Sequence, residues 1–158
     1  MAIRVKREHL EKIGQHGERE YPHECCGFLL GVSTDGLNVL NEIYPTKNVW
    51  EKESHYLGSD DASATKKQES QLNRYLITPD QYREADAYAR ERGLGIIGYY
   101  HSHPDHPAAP SGYDLDHSCW PGESYIIVSI QHGKAADLNS FTKPDYTEFE
   151  QEEILVEE

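Results

Sequence analysis

At 158 residues the chain fits one domain by length, large enough to bury a real core. Its 28 acidic side chains against 15 Lys and Arg give a formal charge of -13. With no segregated basic patch visible, that balance opposes nucleic-acid phosphate as a partner, although it would also suit solubility in high salt. No apolar run reaches the length of a membrane span, and Met1 to Leu10 lacks the apolar centre of a signal peptide. Three cysteines, two of them adjacent, do not make a disulfide framework, so a cytoplasmic, reducing setting is expected.

Taken in order, Lys6 to about Glu20 reads as a helix with an apolar edge at Leu10 and Ile13. Tyr21-Pro22 ends it, because a residue before proline avoids helical dihedrals. An apolar strand follows over Gly27 to Val32. Ser33-Thr34-Asp35-Gly36 has hairpin-turn chemistry, and Asn38 to Tyr44 returns as an alternating strand. From about 46 to 73 the composition turns polar. A stretch this long is expected to be functional or mobile, with room for a short helix around Ala62 to Leu72. Arg74 to Ile77 reads as a short strand. Thr78-Pro79 starts a helix that runs to Arg92 and is closed by Gly93. Gly95 to Tyr100 is a buried strand, and this strand-helix-strand order predicts a crossover with the helix on one sheet face. Further strands are expected at Tyr125 to Ile130 and Ala136 to Phe141. The end, Glu148 to Glu158, holds six glutamates in eleven residues. Its Ile154-Leu155-Val156 cluster suggests an edge strand, with the last two acids fraying.

The strand from Gly95 leads into His101-Ser102-His103-Pro104. Strand side chains alternate, so His101 and His103 project from one face, and Pro104 stops the strand. After a six-residue loop, Ser111 has helix N-cap chemistry, with Asp114 in the first turn. Ser111 and Asp114 alone also fit a simple capping box, which has no need of the two histidines. Two imidazoles and one carboxylate, with the fourth position left to water, form the ligand set of a catalytic zinc site. Iron or manganese could occupy the same donors. His117, three residues past Asp114, reads either as a surface histidine or as a further metal partner. Glu24, ahead of the first apolar strand, reads alone as a solvated loop acid, or, if the sheet carries it over the metal, as a general base. His23, Cys25 and Cys26 could be read as an activated thiol pair, but adjacent residues on an extended segment point apart. A core role for one cysteine is the simpler reading.

His-x-His-Pro-x6-Ser-x-x-Asp, matched without a gap by His101, Ser102, His103, Pro104, Ser111 and Asp114, resembles the JAMM (MPN+) zinc metallopeptidase motif. Pro22 to Gly31, with its Glu-Cys-Cys-Gly core, looks like the glutamate segment of that family. The resemblance runs from about Val5 to about Ser140, with two separated segments in the expected order. It implies an α/β (α+β) fold: a single three-layer domain with a mixed central β-sheet flanked by helices, similar to the cytidine deaminases. It further implies Zn2+ held by His101, His103 and Asp114, with Glu24 moving the proton and Ser111 stabilising the oxyanion during hydrolysis of an amide or isopeptide bond. Stand-alone prokaryotic members imply a ubiquitin-like or sulfur-carrier protein as substrate, cut at its C-terminal Gly-Gly end; the charge and the lack of a long apolar run separately lead us to expect no nucleic-acid or membrane partner. In deubiquitinating members an insertion near 46–73 helps hold substrate. A silent scaffold and a RadC-like, DNA-repair-associated protein are the rival readings. RadC-like proteins carry a very similar motif but lack the Glu-Cys-Cys-Gly counterpart. A deaminase would need a Pro-Cys-x-x-Cys pair that is missing here.

Overall fold

A computed structural model describes residues 1–48, 77–110, 122–143 and 148–158. In chain order the elements are β1 (Ala2–Lys6), α1 (Arg7–Glu20), β2 (Cys26–Thr34), β3 (Leu37–Thr46), α2 (Pro79–Glu91), β4 (Gly95–Pro104), β5 (Ser124–Gln131), β6 (Lys134–Thr142) and β7 (Glu150–Glu157). The expected polar insertion beyond Asn48, most of the expected strand at Arg74 to Ile77 and the helix expected from Ser111 lie outside the described residues. No helix among the described residues is long and apolar enough to cross a membrane.

The strands form one mixed sheet in the order β1-β3-β2-β4-β5-β6-β7, and β7 pairs with β1 to close it into a barrel. β2 lies antiparallel between β3 and β4, while β4 runs parallel to β5 and β1 runs parallel to both its neighbours. This closure corrects the expected edge strand. β7 has a partner on each side, β6 antiparallel and β1 parallel. The last two acids also have partners: Glu157 meets Arg4 at 3.2 Å, and Glu158 forks onto Arg7 at 2.7 Å.

Each helix covers its own face of the β2–β4 pair. Residues of α1 (Leu10, Ile13) cluster with Cys25, Leu29, Tyr100, Ile126 and Val128, while Ala85 and Ala89 of α2 cluster with Phe28, Leu30, Ile96 and Tyr99. The alternation of β2 and β4 explains the split: odd residues of β2 and even ones at the end of β4 face α1, and their neighbours face the other way. Burying each large side chain contributes about 1.5–3 kcal/mol. Gly14 and Gly17 line the contact of α1 with the sheet and leave no room there for a side chain. A methyl at Gly17 would come within 2.6 Å of Ile130. α2 begins as its sequence predicts: Thr78 Oγ1 accepts from the Gln81 amide at 3.1 Å, and Gln81 Oε1 accepts from the Thr78 amide at 2.9 Å.

Candidate metal centre

β4 carries both histidines to its C-terminal end, on the face away from α1. His101 and His103 are buried, at 2 % and 7 % exposed, and their Nε2 atoms lie 3.2 Å apart. His103 Nδ1 lies 2.8 Å from the Pro107 carbonyl. A carbonyl only accepts, so Nδ1 carries the proton and the Nε2 lone pair of His103 is turned toward His101. Two nitrogens bound at about 2.0–2.1 Å to one tetrahedral zinc would stand about 3.3 Å apart. The imidazole pair therefore fits one divalent cation, with the carbonyl holding the ring orientation as outer partners of metal-bound histidines do.

Glu24 is buried at 6 % exposed. The ladder between β2 and β4 ends with Cys26 opposite His101, but one more backbone bond, Ser102 N–H to Cys25 O at 3.1 Å, carries the contact a residue further. That continuation brings Glu24 level with His103. Asn48 holds the segment from the other side, its Nδ2 donating to the Glu24 carbonyl at 3.0 Å. Of the five expected site residues the structure brings His101 and His103 together, and it buries Glu24 in the segment that leads into the neighbouring strand β2. Ser111 and Asp114, with His117, lie outside the described residues. Among the described residues no three His, Cys, Asp or Glu side chains gather into a metal-holding group.

The thiol alternative finds no support. Cys25 and Cys26 are free and buried, and burial pushes the Cys25 thiol up to about 12 and that of Cys26 well above its usual range. Both stay protonated at neutral pH, which removes the nucleophile that such a site would need.

Several supports of the site were not legible in the sequence. Asp105, directly after Pro104, takes a left-handed backbone (φ 55°). Its carboxylate accepts from Tyr21 OH at 2.6 Å and from the His132 amide at 2.7 Å. That amide first, and the tyrosine second, hold its carboxyl below the usual carboxylate range. Asp105 so ties the loop before Glu24, the loop after His103 and the β5–β6 turn together. The same loop is pinned from β5 and β6, by Ser129 Oγ to His106 O at 2.6 Å and by Asn139 Nδ2 to Ala108 O at 3.0 Å. Glu123 is another perturbed acid, raised to about 7 by burial. It belongs elsewhere: Ser124 next to it lies opposite Gly98, three residues before His101 and about 10 Å along the strand.

Residues 6–143 match the family described as prokaryotic homologs of the JAB domain. Over 55 residues the chain is 33 % identical to desampylase of Haloferax volcanii, a stretch that spans 35 % of this chain and 40 % of that protein. Among solved structures, a protein from Salinibacter ruber is 39 % identical with a TM-score of 0.69, covering 100 % of this chain and 92 % of that one. One from Desulfitobacterium hafniense superposes with a TM-score of 0.76 at 24 % identity, covering 100 % and 94 %. A JAB1/MPN domain protein from Archaeoglobus fulgidus shares the fold at 19 % identity, with a TM-score of 0.55 over 100 % and 97 % of the two chains. With the match running through both the glutamate segment and the paired histidines, this chain belongs to the prokaryotic JAB-domain family.

Proposed function

We propose that the chain is a zinc-dependent metallopeptidase that hydrolyses an amide or isopeptide bond at the C-terminal Gly-Gly end of a ubiquitin-like or sulfur-carrier protein. The observation that carries this reading is the pair of buried Nε2 atoms at 3.2 Å, with Glu24 buried in the segment that leads into the adjoining strand β2. His101, His103 and Asp114 would hold the metal. When bound, zinc supplies Lewis acidity that lowers the pKa of water from about 15.7 to about 7, roughly 12 kcal/mol toward a nucleophile at neutral pH.

The remaining work falls to the chain. Glu24 takes the proton of the attacking water on a carboxylate oxygen and delivers it to the leaving amine nitrogen, so that the C–N bond breaks as a neutral amine departs. Ser111 donates its hydroxyl to the substrate carbonyl oxygen as negative charge develops there. Burial of Glu24 and of both histidines keeps bulk water from competing for these contacts. The local similarity to desampylase supports a modifier-type substrate. Helices on opposite faces of the β2–β4 pair support the three-layer, cytidine-deaminase-like arrangement.

The test is incubation of the zinc-loaded protein with a ubiquitin-like protein whose terminal Gly-Gly is joined to a lysine side chain, read by mass. Release of the intact modifier ending in Gly-Gly is expected. A zinc-loaded chain that leaves both this isopeptide and a linear Gly-Gly extension uncut would overturn the proposal.

A further inference from the structure

Ser102 stands between the two histidines, yet its side chain points away from them. It is fully buried on the α1 face, where a methyl placed on Gly17 would lie 3.4 Å from its Cβ. Its Oγ accepts the Cys25 amide at 2.8 Å, while its own amide donates to the Cys25 carbonyl at 3.1 Å. In a regular antiparallel ladder a facing pair exchanges two backbone bonds. Here one of the two is made by a side chain instead. The Ser102 hydroxyl thus takes over the Cys25 amide at the point where β2 leaves the ladder, one residue from Glu24. On its other side β4 continues to pair with β5, with Ser102 opposite Val128 and His103 opposite Ser129.

We infer that Ser102 is a positioning residue: its hydroxyl fixes the Glu24 segment against the strand that bears His101 and His103. The inference rests on the role proposed above for Glu24. The same residue that separates the two metal-facing side chains by one step sets, through its opposite face, the approach of the base. Without the hydroxyl the Cys25 amide loses the acceptor it has there, and with it the tie that joins the Glu24 segment to the histidine-bearing strand by a side chain. A misplacement of about 1 Å costs on the order of 100-fold in rate, and loss of an outer partner costs about 10- to 100-fold.

The experiment compares wild type with Ser102→Ala and Ser102→Thr. It reads amide exchange at Cys25 in the metal-free protein, zinc bound per chain, and kcat and KM on the Gly-Gly isopeptide substrate. Ser102→Ala is expected to exchange the Cys25 amide at least about tenfold faster and keep its zinc. Its kcat should fall about 10- to 100-fold at little-changed KM, and Ser102→Thr should restore both exchange and kcat. Should the alanine variant fail to fold, Ser102→Cys, close in size but a weak acceptor, is read in the same way. Unchanged exchange, or unchanged kcat in a variant whose wild type turns over, overturns the inference. A wild type that binds zinc and cleaves nothing is instead a failure of the proposed function, and Cys25 exchange alone then decides whether Ser102 holds the segment.

Discussion

The two faces of the β2–β4 pair are built from alternating residues of the same two chain segments and differ in kind. Toward α1 the pair presents Cys25, Gly27, Leu29, Tyr100 and Ser102, closed over by a glycine-lined helix. There the polar atoms are neutral and satisfied: Tyr100 OH meets His16 Nδ1 at 2.8 Å, and Ser102 meets the Cys25 amide. Gly27 leaves room for the tyrosine ring, since a methyl there would sit 2.3 Å from it. The opposite face ends in Glu24, His101 and His103, all ionisable and all buried. Such a group of buried titratable side chains costs stability unless something compensates their charge. One face is packed and neutral, and the other gathers the ionisable groups.

The contrast is broken most severely on the chemical face. His101→Ala removes one of two imidazoles, so zinc binding and cleavage should both disappear, read as metal content and turnover. Glu24→Gln should keep zinc and the fold while turnover falls about 100- to 10,000-fold, the range for removal of a general acid-base group. A Glu24→Gln enzyme with wild-type kcat would remove Glu24 from the mechanism. On the structural face the order of effects reverses. Gly27→Ala should cost about 1–3 kcal/mol in denaturant unfolding, by driving a methyl into the Tyr100 ring, and should leave zinc stoichiometry intact.

The smallest effect is a pH dependence that belongs to the structural face. Burial, first, lowers the affinity of both His9 and His16 for a proton in the fold. Both are set as neutral rings: His9 Nδ1 accepts from the Lys6 amide at 3.0 Å, and its Nε2–H donates to Asn41 O at 3.1 Å. The unfolded chain therefore binds more protons once pH falls below the free histidine value of about 6.5. Stability should decline from there toward the lower folded value, and His16→Gln should make the decline shallower in unfolding curves taken across that window.

What could be read in advance follows the range of the interactions. The Thr78-Pro79 helix start and the Asp35-Gly36 hairpin depend on neighbours a few residues away, and both stand as expected. The paired histidines were legible because strand alternation is a local rule, and their convergence at 3.2 Å follows it. β1 was missed because its five residues gain meaning only from β3 and β7, far along the chain. The closure of the sheet was missed for the same reason. The partners of Asp105 and Ser102 were not legible either, although Ser102 stands inside the motif, since those partners lie 77 to 84 residues back or 27 ahead.

The central claim is that His101 and His103 form half of a zinc site on the chemical face. Metal content of protein purified without added metal or chelator, for wild type and His103→Ala, tests it most directly. The account predicts about one zinc per chain in wild type and none in the variant, both remaining folded. A folded wild type that holds no metal even after zinc is supplied would contradict it.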